Sequence, residues 1–98
     1  MAGFKQVTDA GNAVASIIGA GIIPAGMEMM DKLAVQAAEQ FAHAGYPLDA
    51  AAILIIELDG AEAELSAVTA QVIDYLNASG AYQIDQADDA ETQARLWK

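Results

Sequence analysis

Acidic side chains are the commonest groups in this sequence that could do chemistry, and one run of them surrounds a glycine. The run consists of Glu57, Asp59, Glu62 and Glu64, with Gly60 in its middle. A calcium-binding EF-hand loop needs oxygen ligands at alternate positions before its glycine and a glutamate six residues after it. That spacing is absent, and acidic residues in the first turn of a helix ordinarily interact with the helix dipole. We therefore expect no metal site in this run.

A second group of possible ligands lies in a methionine-rich turn. Glu28 and Asp31 are one helical turn apart and stand beside Met27, Met29 and Met30. If a helix begins near residue 25, both carboxylates lie near its start, where the helix dipole again accounts for them. Methionine clusters usually provide adaptable packing. The alternative is that this turn faces a cofactor or a partner.

Nucleophiles and general bases are scarce in this sequence. His43 is the single histidine and there is no cysteine, so His43 lacks obvious partners for a metal site or for a nucleophile and base pair. None of Ser16, Ser66 and Ser79 lies in the G-x-S-x-G turn that exposes a nucleophilic serine. We expect no catalytic residue and no metal ligand in this chain.

One glycine pattern superficially resembles a nucleotide-binding loop. Gly19 and Gly21 are spaced as in the dinucleotide fingerprint, but Pro24 occupies the position of the third glycine. The fingerprint also joins a strand to a helix, whereas these glycines follow a predicted helix and end it. We expect no cofactor to bind to this chain itself.

Charge and composition exclude several classes of partner. The 98 residues include 14 acidic against 4 basic residues, a formal net charge of -10, which repels nucleic-acid phosphates and anionic lipid headgroups. The longest fully apolar run, residues 50–56, is far too short to span a bilayer, and the start lacks the basic and apolar regions of a signal peptide. We therefore expect a cytoplasmic protein with no nucleic-acid binding and no direct membrane insertion.

Residue patterns predict the elements that would position these groups. Apolar residues at helical spacing follow the possible cap Thr8-Asp9, and a longer helical pattern stops at Gly45. Residues 52–58 are β-branched and apolar on both alternating faces, which is typical of an interior strand. In order, we predict a possible strand at 4–7, a helix over 8–18, an extended piece at 22–24, a helix over 25–44, a strand over 52–58, a helix over 61–79, a strand over 81–86 and a helix from 88 to the last residue.

These elements indicate a fold class. Strand 52–58, helix 61–79 and strand 81–86 form a βαβ-like unit, and a four-stranded sheet with helices on one face accommodates the remainder economically. We predict an α+β fold, a ferredoxin-like sandwich whose roughly four-stranded, mainly antiparallel sheet has helices on one face, plus one extra helix. A chain of this length forms a single domain, residues 1–98.

Three blocks of sequence carry a family resemblance. They are GIIPAGMEMMD at 21–31, HAGYPLDA at 43–50 and ILIIELDG at 53–60. In this order they resemble the C-terminal domain of FAD-linked oxidases, particularly those of bacterial glycolate oxidases and D-2-hydroxy-acid dehydrogenases. The resemblance covers nearly the whole chain.

The resemblance implies a role as part of a larger flavoenzyme. In this family a separate domain binds FAD, and the C-terminal domain caps the flavin and shapes the site for a small 2-hydroxy acid, of glycolate or D-lactate type. The family's substrate-holding arginine and its histidine-rich motif follow the position of Trp97, and neither is present here. The chain is therefore expected to be a fragment of the cap domain, inactive alone, with FAD in the full-length parent and with the flavin domain and other oxidase subunits as partners.

The same resemblance marks positions for an interface. The family-motif or interface positions are expected to be Pro24, Met27, Glu28, Met30, Asp31 and Trp97. Apolar surface around Met27, Met30 and Trp97 would be exposed without the flavin domain, and we expect the isolated chain to self-associate through it. The alternative to a cap fragment is a free-standing ferredoxin-like module that binds a small molecule or oligomerises through its sheet. A small independent enzyme is a third alternative.

Overall fold

The described part of the computed structural model comprises residues 1–42, 47 and 49–86. It contains, in chain order, β1 (Ala2–Phe4), α1 (Val7–Gly19), β2 (Gly26–Asp31), α2 (Lys32–Ala42), β3 (Ala52–Glu57), α3 (Glu62–Ala78) and β4 (Ala81–Ile84). The helix predicted from residue 88 and the predicted stop at Gly45 lie outside the described residues.

The four strands form one antiparallel sheet. Their order is β2-β3-β1-β4, and each neighbouring pair is antiparallel. This is the arrangement of two interleaved βαβ units that defines a ferredoxin-like sheet, with α2 as an additional helix between β2 and β3. The predicted α+β sandwich with one extra helix is confirmed.

The interior position of β3 divides the core into two clusters. Ala52 and Leu54 face α1 and α3 and pack with buried residues of both helices, including Ile17 and Val72. The alternate residues of the strand face the other side of the sheet, where Ile53 and Ile55 pack with Val35 of α2 and Ala50. Because successive side chains of a strand point to opposite faces, the buried residues of a strand in this position, 52–55, must be apolar on both faces, as the sequence pattern indicated.

The region before α2 differs from the prediction. The short piece predicted at 22–24 as a sheet edge or strand end is not part of the sheet, because the strand that follows α1 is β2, which begins at Gly26. The helix predicted to begin at residue 25 begins only at Lys32. Met27 and Met30 fit a helical period, and methionine favours helices. Six residues of β2 nevertheless pair with Ala52–Glu57 of β3, and this tertiary pairing overrides a weak local preference.

The start of the chain also differs slightly from the prediction. The possible strand at 4–7 is displaced, since β1 is Ala2–Phe4 and α1 already begins at Val7. Ala2 and Phe4 are fully buried on the face that α1 and α3 cover. These two buried side chains, together with pairing to β3 on one edge and to β4 on the other, therefore hold this short strand in the sheet.

The turn between α3 and β4 requires a glycine. Gly80 has φ +98, a conformation that a side chain would strain. A Cβ at this position would also lie 3.2 Å from Oδ2 of Asp9 in α1. The helix predicted over 61–79 does end directly before Gly80, at Ala78 with Ser79 as its C-cap. Within the described ranges, no helix is long and apolar enough to cross a membrane.

Replacement of Leu54 tests the central position of β3. Leu54 is fully buried and lies opposite Ala2 of β1 and Met29 of β2, so Leu54→Ala should leave a cavity and lower the free energy of unfolding by about 2–5 kcal/mol. Leu33→Ala is the control, because Leu33 is 76% exposed and its loss should change stability by no more than about 0.5 kcal/mol. Urea unfolding of both variants measures the difference, and equal losses would contradict the assigned core.

Candidate functional site

The methionine-rich segment lies on an edge strand. Met27 to Asp31 belong to β2, which among the described strands pairs with β3 alone. Met27 packs against the core beneath α1 and α3, whereas Met30 packs against the core beneath α2. The intervening Met29 is 49% exposed. Met27 and Met30 therefore face opposite sides of the sheet and cannot line one site together.

The remaining positions chosen from the sequence have different surroundings. Pro24 is half-buried in the connection between α1 and β2, immediately before Ala25, whose N–H donates to the carbonyl of Glu57 at 2.8 Å. Glu28 is exposed on β2. Trp97 lies outside the described residues. A role of these positions in an interface stays a prediction.

Asp31 has a local structural role. Its Oδ1 accepts a hydrogen bond of 2.9 Å from the N–H of Ala34. Asp31 immediately precedes α2, so this bond is the N-cap interaction that satisfies a free amide of the first turn. An aspartate directly before a run of helix-forming residues is a recognisable cap signal, and it indicates a helix start at Lys32 rather than at residue 25.

The structure brings together a polar cluster that the sequence analysis did not identify. Nζ of Lys5 donates to Oδ2 of Asp49 at 2.7 Å, and the hydroxyl of Tyr82 donates to Oδ1 of the same carboxylate at 2.9 Å. The ammonium of Lys5 also lies 4.2 Å from the centroid of the Tyr82 ring, within the range of a cation–π interaction. Each carboxylate oxygen of Asp49 thus has its own donor.

The backbone around Gly3 positions this cluster. A Cβ on Gly3 would lie 3.2 Å from Cγ of Pro47 and 3.3 Å from Cε1 of Tyr82, so the missing side chain lets both rings lie against β1. The register between β1 and β4 shifts after Gly3, and this irregularity places Tyr82 as the unpaired residue of β4. The N–H of Ala51 donates to the carbonyl of Phe4 at 2.9 Å, which holds the segment containing Asp49 against β1.

Electrostatics define the protonation states of the cluster. The hydrogen bond from Lys5, followed by the one from Tyr82, lowers the pKa of Asp49 below its ordinary value. Partial desolvation of the phenol, then the hydrogen bond to Asp49 and the charge of that carboxylate, raises the pKa of Tyr82 to about 12. At neutral pH Asp49 is ionised and Tyr82 is a neutral donor. The cluster is therefore suited to binding and positioning, since its carboxylate already accepts two hydrogen bonds.

A shallow hollow lies beside the outer edge of β4. Its volume is about 340 Å³, and it is lined by Ile73 and Asn77 of α3 and by residues 81–84 and 86. Of the described residues, those that give the hollow its polar lining are amide side chains and Tyr82, without a carboxylate or amine. Among the residues that the structure describes, no three His, Cys, Asp or Glu side chains are grouped so that they could hold a metal ion.

Titration of Tyr82 tests the cluster. Because its pKa in the folded protein is about 12 and its ordinary value is 10.0, the resulting stabilisation should be complete below pH 10 and be lost as the pH rises through 12. Asp49→Asn removes the negative charge and should move the pKa of Tyr82 towards 10. Ring resonances of Tyr82 followed by NMR against pH provide the measurement. Asp59→Asn, in the exposed connection before α3, should leave the titration unchanged, and an unaltered Tyr82 pKa in Asp49→Asn would contradict the assignment.

Comparison with known proteins places this fold in a family. Residues 1–98 match the family model described as FAD linked oxidases, C-terminal domain. The chain is 48% identical over 97 residues to the glycolate oxidase subunit GlcD of Escherichia coli strain K12, covering 99% of this chain and 19% of that protein. It is 39% identical over 57 residues to GlcD of Bacillus subtilis strain 168, covering 58% of this chain and 12% of that protein.

These matches confirm the resemblance that the three sequence blocks indicated. The chain spans about a fifth of the length of the Escherichia coli relatives, and the family match extends over every one of its residues. The chain belongs to the family of C-terminal domains of FAD-linked oxidases.

Proposed function

We propose that this chain is part of the substrate-capping domain of an FAD-dependent oxidoreductase that oxidises a small 2-hydroxy acid, of glycolate or D-lactate type. The observation that carries the proposal is the 48% identity with a glycolate oxidase subunit along 97 residues. The aligned segment covers 99% of this chain. The proposed setting is cytoplasmic, with FAD in the full-length parent.

The described residues do not fit the FAD cofactor itself. FAD carries a diphosphate, and phosphates are bound most readily at helix N-termini and by basic side chains. All three described helices have acidic residues at or before their first turn: Asp9 in α1, Asp31 before α2, and Glu62 and Glu64 in α3. The described residues that line the hollow beside β4 include no basic side chain. In this proposal the cofactor is held by another part of the parent.

The partners in this proposal are therefore the flavin-bearing part of the parent and other oxidase subunits. The chain contributes a stiff sheet, with cores on both sides of β3, rather than reacting groups. Its polar cluster holds Asp49 in an ion pair with Lys5, so this carboxylate is not available as a free base. The isolated chain is accordingly proposed to be inactive.

A hybrid protein tests the proposal. Residues 1–98 replace the matched segment of Escherichia coli GlcD, and the oxidation of glycolate and D-lactate is measured together with the FAD content. Because the two segments share 48% of their residues, the hybrid should retain FAD and oxidise at least one of these hydroxy acids. The isolated chain should contain no FAD and show no activity.

Two controls make the result decisive. GlcD lacking the segment should lose activity, and a hybrid carrying Leu54→Asp, which places a charge in the core of β3, should lose it as well. A folded, FAD-containing hybrid that oxidises neither acid would overturn the proposal. Oxidation of glycolate by the isolated chain would overturn it equally.

Self-association of the isolated chain is a further part of the proposal. Three exposed apolar residues lie near the C-terminal end of α1, on the connection that follows it and on β2: Ile18 at 53%, Ile23 at 89% and Met29 at 49%. Sedimentation equilibrium of the isolated chain should therefore give an average mass that rises with concentration, and Ile23→Ser with Met29→Ser should reduce the rise. Val7→Ser, at the other end of α1, should not reduce it, and a monomer at every concentration would refute this part.

A further inference from the structure

The methionines of this chain differ in their exposure. The sequence contains Met1, Met27, Met29 and Met30, and all four lie among the described residues. Met27 is half-buried against the core beneath α1 and α3. Met1 and Met30 are half-buried against the core beneath α2. Met29 is 49% exposed, so small solutes reach it more readily than they reach the other three.

Position along the edge strand β2 accounts for this difference. Met29 pairs with Leu54 of β3, and Met27 pairs with Ile56. Because Leu54 belongs to the core beneath α1 and α3 and side chains two residues apart share a face, Met27 and Met29 lie on the same side of the sheet. Met27 packs against that core, whereas Met29 stays exposed two residues further along the strand.

An accessible thioether reacts with hydroperoxides by oxygen transfer. The sulfur attacks the terminal oxygen of the hydroperoxide, so that an S–O bond forms as the O–O bond breaks, and the proton of that oxygen passes to the leaving oxygen. The sulfur is oxidised by two electrons to the sulfoxide, and the hydroperoxide is reduced to an alcohol or, from hydrogen peroxide, to water. The reaction requires access of the oxidant to the sulfur and no catalytic group from the chain.

A sulfoxide at Met29 is compatible with the fold. The sulfoxide is polar, and at an exposed position its oxygen remains hydrated, so no unsatisfied polar group is buried. The pairing of Gly26–Asp31 with β3 is made by the backbone and is independent of this side chain. A sulfoxide at Met27 or Met30 would instead place a polar group against one of the two cores, which is unfavourable.

We propose that Met29 is an oxidation site, at which a hydroperoxide forms the sulfoxide while the fold is retained, and that this modification weakens self-association of the chain. The effect on association rests on the proposed function, which assigns Met29, together with Ile18 and Ile23, to the exposed apolar residues through which the chain self-associates. A hydrated sulfoxide replaces apolar surface that the contact would bury, and thereby lowers the affinity of one copy for another.

Limited oxidation tests the site. The chain is treated with hydrogen peroxide, and peptide mass spectrometry follows the sulfoxide at each methionine. Met29 should be oxidised about threefold or more faster than Met27 and Met30, because access of the oxidant sets the rate. The urea midpoint of the chain oxidised at Met29 alone should equal that of the untreated chain. Equal rates at Met27 or Met30, or a lowered midpoint, would overturn the assignment.

Met29→Leu is the matched variant for the effect on association, because leucine fills a similar volume and has no sulfur. Sedimentation equilibrium of the untreated chain should give an average mass that rises with concentration. Peroxide should reduce this rise in the original chain and in Met27→Leu, which retains the reactive Met29. It should leave the rise unchanged in Met29→Leu.

The outcomes separate this inference from the proposed function. An unchanged rise after oxidation of Met29 overturns the effect on association and leaves the proposed function intact. A chain that is monomeric before treatment overturns the proposed self-association and the effect of oxidation on it together, and the order of oxidation still decides whether Met29 is the site. The activity of the GlcD hybrid tests the proposed enzymatic role independently of both measurements.

Discussion

The pairing of β3 on both of its edges is the constraint on which the rest of this structure depends. β3 hydrogen-bonds to β2 on one side and to β1 on the other, and its side chains are buried on both faces from Ala52 to Ile55. Every helix in the described part of the chain packs directly or indirectly on this strand. A polar residue within it would place an unsatisfied group in one of the two cores.

The position of β3 also determines the structure at the two edges of the sheet. The segment of β2 forms a strand because six of its residues pair with β3, although the methionines of β2 could equally belong to a helix. β4 is positioned by β1, and the irregular register after Gly3 turns Tyr82 towards Asp49. The polar cluster is thus an outcome of strand order. Its three members come from β1's end, from the connection before β3 and from β4.

The family assignment and the charge distribution together support the proposed role of the domain. In the proposed function, the domain supplies a stable framework and a surface that fits the remainder of the enzyme. The acidic helix starts are unsuited to binding a diphosphate. In the proposed function, another part of the enzyme holds the cofactor and this domain shapes the site.

The sequence by itself determined the fold class, α1, β3, α3 and β4, because their periodicity and their glycine stops are local signals. It also determined the family, through the three blocks between residues 21 and 60. The identity of β2 and the true start of α2 were decided by tertiary structure, since pairing with β3 outweighs the weak helical preference of Met27 to Met30. The polar cluster could not have been predicted from spacing, because Lys5 and Tyr82 are separated from Asp49 by 44 and 33 positions and meet only through the strand order. Local propensity acts over a few residues, and contacts across this distance exist only when the whole sheet has formed.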